Sequence, residues 1–176
     1  VSVTDANVVV EGGVPVGQGG SWLFSARRTY YDLVAGRLQD QNFPSFADLQ
    51  LQVGWEFGPG HRLTLMGLRS IENADLDIDI DRPNERAAFG SDVLNNLASV
   101  RFDAVLGTRA TSTTIVSWYH NRETINFDGL IRADARRSNA ADDTLAFGLS
   151  TILFDRSIDV RDFSLRQEVG VQSSPH

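Results

Sequence analysis

The chain has no cysteine and no lysine. Without cysteine there is neither a disulfide scaffold nor a thiolate metal site. All 16 basic residues are arginine, set against 23 acidic ones, and the formal net charge is -7. That balance argues against a nucleic-acid partner, because phosphate binding calls for positive surface. No apolar run approaches the roughly 18–20 residues of a membrane helix. This excludes helical spans only, since a transmembrane barrel hides its apolar residues in alternation. The chain opens on V-S-V-T, with no basic start and apolar core behind it. No signal peptide is therefore expected, and the sequence reads as a mature chain or one cut from a longer one.

What is present is alternation. The 176 residues include 15 glycines, and 41% are hydrophobic, enough for one domain of a turn-rich β protein. The organising stretch is Asp48 to Phe57, D-L-Q-L-Q-V-G-W-E-F. A strand alternates its side chains with period two, so Leu49, Leu51, Val53, Trp55 and Phe57 share one face. Asp48, Gln50, Gln52, Gly54 and Glu56 share the other. At helical spacing these apolar residues would scatter around the axis. Two environments suit such a strand: an antiparallel sheet packed on a core, or a barrel with lipid outside and water inside.

The same pattern recurs along the chain. Strands are expected over about 3–14, 21–31, 48–57, from 62, 96–106, from 111 to beyond 120, and 158–171. Arg28 falls on the apolar side of the second, which suits it only above the hydrocarbon or with a snorkelling side chain. Turns near 15–19, 58–61 and 107–110 are short, whereas connections near 32–46, 72–94 and 122–157 are long. Short and long connections thus lie at opposite strand ends, as in outer-membrane barrels with short periplasmic turns and long extracellular loops. Several strands also exceed the usual five or six residues or so and approach the roughly nine to eleven that cross a bilayer. The segment Leu145–Phe154 is strand-like and is expected in an extracellular hairpin; if it crosses, the count of seven becomes eight.

The inward face would carry Arg27, Gln50, Gln52, Glu56, Arg101, Asp103, Arg166 and Glu168. A dry core could not hold that many charges without large desolvation costs, but a wet lumen could. Trp22, Phe24, Trp55, Phe57, Phe102 and Trp118 would face lipid, with tryptophans near strand ends as an aromatic girdle. The fold class expected is all-β: an antiparallel up-and-down transmembrane barrel segment of about seven or eight long strands. A soluble barrel, with aromatics inside and charges outside, is the alternative.

Motifs for chemistry are few. Residues Ala74–Asp81, A-D-L-D-I-D-I-D, place Asp75, Asp77, Asp79 and Asp81 on one face. A calcium loop would need Gly at its sixth position and Glu at its twelfth, where Ile80 and Arg86 stand. The run reads instead as a strand continuing into solvent as an amphipathic hairpin. His61, His120 and His176 show no metal-ligand spacing. No G-x-S-x-G supports a hydrolytic triad built on His120. G-Q-G-G lacks the Lys-Ser/Thr of a phosphate loop. Arg132, Arg136 and Arg137 could draw an anionic solute to the mouth. No catalysis, metal or cofactor is expected.

Three runs carry a resemblance. Gly20–Leu33, G-S-W-L-F-S-A-R-R-T-Y-Y-D-L, resembles an early barrel strand of the TonB-dependent outer-membrane receptors. Phe46–Leu68 is similar to the next hairpin, and Asp159–Val169 to a later descending strand. The resemblance implies a partial barrel domain over 1–176, located in the outer membrane of a Gram-negative type envelope. It implies active uptake of a scarce solute of the siderophore, cobalamin or glycan class. The implied partners are outer-membrane lipid, the remainder of the barrel, a plug domain, and TonB acting through that plug. Neither plug nor TonB-contacting segment is visible, and the family barrel has about twenty-two strands. The sequence therefore reads as a fragment with open edges. A small self-contained outer-membrane barrel (pore, adhesin or enzyme) and a soluble ligand-binding barrel are the other classes. On the transmembrane reading, a charge placed at Val53 or Trp55 blocks assembly into membrane while a charge at Gln52 is tolerated. Heat-modifiability on gels checks this, and equal tolerance on both faces contradicts it.

Overall fold

The computed structural model describes residues 5–14, 19–29, 44–78, 85–134 and 147–172. They form one antiparallel sheet of seven strands in sequential order. The strands are β1 (Asp5–Gly13), β2 (Gly20–Thr29), β3 (Ser45–Glu56), β4 (His61–Ile78), β5 (Arg86–Leu106), β6 (Ala110–Asp134) and β7 (Phe147–Val171). Each pairs only with its neighbours in sequence, so β1 and β7 are edges and the sheet is not closed. Among the described residues there is no helix. Ala87 and Ala104 are the buried apolar side chains, and no large side chain is fully buried. The sheet has no dry core of its own.

Cross-strand pairing sorts the chain into two faces, because directly opposed residues point the same way. Leu51 pairs with Phe24 and Gly67, Gly67 with Ala98, Ala98 with Trp118, and Trp118 with Phe163. These residues define the Leu51 face. Gln52 pairs with Leu23 and Met66, and the row runs on through Ser99, Ser117 and Ser164 to define the Gln52 face. Leu49 and Leu51 are 46% and 47% exposed, while Gln50 and Gln52 between them are half-buried.

The tight turns sit where backbone chemistry demands them. Phe57–Gly60 joins β3 to β4, with Gly58 at φ +87° and Gly60 at φ +80°, around Pro59. Only glycine takes that left-handed region freely, and proline presets its own φ. The Gly60 carbonyl accepts from the Val105 amide at 2.8 Å, tying the turn to β5. Phe57, His61 and Phe102 stack beside it, with centroids 5.9–6.3 Å apart. On the first hairpin Gly12 leaves room for the Trp22 indole, which a Cβ would meet at 2.9 Å.

Several expectations change. Residues 86–94, 122–134 and 147–157, expected within long loops, are strand. Phe147–Phe154 is the outer end of the β6–β7 hairpin, paired with 127–134 and continuous with β7, so there are seven strands and no eighth among the described residues. Trp118 is not near a strand end, because β6 continues to Asp134. The A-D-L-D-I stretch does extend β4 as expected, paired with β5 down to Ile78–Ala87. Asp79, Asp81, the 15–18 part of the first turn, Tyr30, the 32–43 loop and His176 lie outside the described residues.

At Gly60 a side chain faces both a left-handed backbone and a Cβ–Cβ approach of 2.7 Å to Val105. Gly60→Val is expected to destabilise by about 2 kcal/mol or more. Gly67 has open space around it, so Gly67→Ala is expected to leave stability unchanged or raise it by a few tenths of a kcal/mol, roughly. Denaturant midpoints of the two variants check the contrast.

Candidate functional site

The candidate site is the sheet itself, with its two faces in separate roles. All eight residues expected to face a lumen lie on the Gln52 face: Arg27, Gln50, Gln52, Glu56, Arg101, Asp103, Arg166 and Glu168. Near the short-turn end they are joined by polar residues that the sequence did not single out. Arg101 donates twice to Asp103, at 2.8 and 2.9 Å, and the Thr113 hydroxyl donates to the same carboxylate at 2.7 Å. Arg166 pairs with Glu168 one strand further on. Arg62 lies 4.0 Å from Glu56. Higher up, the Asn95 side-chain oxygen accepts from Tyr119 at 2.9 Å and from Asn121 at 2.7 Å. Arg27 lies 3.4 Å from Asp5 and stacks over Phe46. These ion pairs are solvent-facing, so each contributes at most about 1 kcal/mol, the bidentate Arg101–Asp103 pair at the upper end.

The opposite face carries Trp22, Phe24, Trp55, Phe102 and Trp118 in register with Val53, Leu51, Leu63 and Ala98. Phe57, just beyond β3, stacks on Phe102 at 5.9 Å. On β7, Leu165 and Phe163 are 68% and 70% exposed. Two polar sites interrupt these rows. His61, paired with Ala104, stacks on Phe57 and Phe102 and leaves its Nδ1 without a hydrogen-bond partner, whereas Gln167 lies in a cluster that satisfies itself. Gln167 accepts from Thr114 at 3.2 Å and donates to Ser112 at 3.0 Å. The amide and both hydroxyls thereby find partners without water.

The faces exchange character partway up the long strands. On the Leu51 face the apolar rows end at Arg69, Asn96, His120 and Arg161, which are paired in one continuous register. Beyond them come Asn73, Asp92 and Thr124, then Asp75, Asn126 and Asp155, then Asp77 and Asp128. Ile71, Leu94, Leu130 and Leu153 are the large apolar exceptions there. On the Gln52 face the change comes higher: Glu72, Glu123 and Arg156 still stand on it beyond the Arg69 row, and only past them does it turn apolar. Leu76, Phe89, Phe127 and Phe154 form one row, and Ile78, Ala87, Gly129 and Ile152 the next. Sequence reasoning missed this inversion. Its signal is a slip of one residue in the apolar phase within each strand: Val116 and Trp118 give way to Ile125 and Phe127, and Phe163 and Leu165 oppose Ile152 and Phe154. A phase slip reads as a break in the pattern, although each strand is continuous through it.

Just beyond the apolar rows, three basic groups converge on one carboxylate. His120 Nε2 lies 3.3 Å from Asp159, Arg122 Nε 3.4 Å and Arg161 Nε 3.1 Å. Trp118 tilts against the His120 ring at 5.8 Å. The hydrogen bond from His120, reinforced by the charges of Arg161 and His120 and by a hydrogen bond from Arg122, holds the Asp159 carboxyl below its ordinary range despite a smaller opposing effect of desolvation. This gives His120 an acidic partner. Ser117 and Ser164 bond each other at 2.6 Å on the opposite face. Arg132 lies in β6, but its side chain and all of Arg136 and Arg137 fall outside the described residues.

No protein-family model matches the chain, and neither the curated proteins nor the solved structures give a match. The two-faced geometry therefore carries the functional argument alone.

Because its folded pKa is depressed, Asp159 contributes stability that is present above the unfolded aspartate pKa and lost as pH falls through the folded value. Carboxylate NMR titration is expected to find Asp159 titrating below ordinary aspartates. His120→Gln removes the first cause and is expected to raise that pKa; an unchanged titration would contradict the assigned pairing.

Proposed function

We propose that the chain is a wall segment of an outer-membrane β-barrel built on the plan of the TonB-dependent receptors. Its role is energy-driven uptake of a scarce small solute, of the siderophore, cobalamin or glycan class. The supporting observation is a single open sheet with an exposed apolar belt directly behind an ion-paired polar face. On β5 the belt runs from Leu106 to Ala98, nine residues. At about 3.4 Å per residue that spans about 27 Å along the strand, or about 21 Å of height at a tilt of roughly 40°, near the roughly 25 Å apolar band of transmembrane barrels. Hydrocarbon covers the Leu51 face, and water or a plug fills the space behind the Gln52 face. The open edges β1 and β7 pair with further strands of the parent barrel, since unpaired edges of this length invite association. Energy from the inner membrane arrives through TonB acting on a plug domain held inside that barrel.

A soluble ligand-binding barrel would reverse the two faces, putting Trp22, Leu51 and Phe102 inside. The greater coverage of Gln50 and Gln52 relative to Leu49 and Leu51 favours the first arrangement.

Because the chain has no cysteine, single cysteines report each face cleanly. In membranes, Gln52→Cys and Ser117→Cys are expected to react with a water-soluble maleimide, and Leu51→Cys and Leu165→Cys only with a lipid-soluble one. Uptake is expected to fall to leakage in cells lacking TonB. Equal aqueous labelling at Leu51 and Gln52 would refute membrane insertion; uptake unaffected by TonB loss would refute the transport class alone.

A further inference from the structure

The Leu51 face is banded in three layers: apolar, basic, then acidic. The two rows directly beyond the belt hold Arg69, His120 and Arg161 in one, Arg28 and Arg122 in the next. Asp159 is the only carboxylate on those rows among the described residues. Four arginines against one aspartate make a positive band within a chain of net charge -7. Further out the sign reverses at Asp75, Asp92, Asp128 and Asp155. Arg161 and Arg69 lie three strands apart in register, about 14 Å at the usual strand spacing. The guanidiniums of Arg122 and Arg161 are exposed, and each contacts Asp159 through Nε. Both arginines stand on the same face as Trp118 and Phe163.

We infer that this band is a seat for the phosphate groups of membrane lipids, holding the barrel at a fixed depth. The inference rests on the membrane reading above. Guanidinium forks match phosphate oxygens in pairs, and the partner is placed by continuity, because a headgroup begins where the hydrocarbon ends. Arg122 and Arg161 grip the phosphate, with Asp159 and His120 as positioning residues that hold the two side chains together. Exposed basic residues near an anionic surface contribute additively and are screened by salt.

The protein is reconstituted from detergent into vesicles of phosphatidylcholine alone and of phosphatidylcholine mixed with phosphatidic acid. Insertion into both is expected, with a salt-sensitive preference for the second. That preference is expected to fall about fivefold for each arginine removed in Arg122→Gln and Arg161→Gln. Arg156→Gln, the same charge change on the other face of β7, is expected to keep it. Insertion of the double variant into pure phosphatidylcholine at the wild-type level confirms that it assembles. A wild-type protein that enters both vesicles equally, or a double variant that keeps the preference, overturns the phosphate seat and leaves membrane insertion standing. Loss of the preference on adding inorganic phosphate at matched ionic strength marks a free-anion site and overturns the lipid assignment. No insertion into either vesicle overturns both.

Discussion

Lateral backbone hydrogen bonding in strict register is the constraint on which everything else depends. Each inner strand is paired on both sides, so a residue's face is set by its neighbours as much as by its own chain. A slip of one residue in any strand would throw its entire apolar set to the other side. The rows stay aligned from β4 to β7, and Arg69, Asn96, His120 and Arg161 consequently fall on one line. That alignment turns four separate changes of pattern into a single boundary across the sheet.

The two sides of the boundary obey opposite solvation rules. Below it, leucine, phenylalanine and tryptophan are exposed behind a face of paired charges, an arrangement that water on both sides would penalise. Above it, aspartate, arginine and asparagine occupy that outer face, while Phe89, Phe127 and Phe154 line the inner one. The outer face of one continuous sheet therefore changes from apolar to charged along its length. The trio of Ser112, Thr114 and Gln167 interrupts the apolar face with polar groups that answer one another, whereas His61 on the same face leaves its Nδ1 unpaired.

Much of this was legible in the sequence. Alternation at Asp48–Phe57 placed the third strand, and the same parity put Arg101 and Asp103 opposite Val100 and Phe102. The glycine-bearing turns at 58–60 and 107–109 stood out by composition, since a left-handed φ at Gly58, Gly60 and Gly107 leaves few other residues available. The upper halves of β5, β6 and β7 were not legible as strands, because their apolar phase opposes that of the lower halves. Period-two reasoning counts a phase reversal as a break unless a reversal of solvent is already suspected. The His120–Arg122–Asp159–Arg161 cluster was equally hidden. Its members lie about 40 residues apart and meet only through β6–β7 pairing.

By itself the sequence determined the class of structure: strands and not helices, antiparallel hairpins in order, and one greasy face behind one ionised face. Those follow from local periodicity and turn chemistry, which involve only near neighbours along the chain. Tertiary structure decided strand length, the count of seven among the described residues, the line on which the outer face changes polarity, and the gathering of arginines around Asp159. Those depend on which residues stand side by side across hydrogen-bonded strands, and no stretch of sequence read alone contains its partner's register.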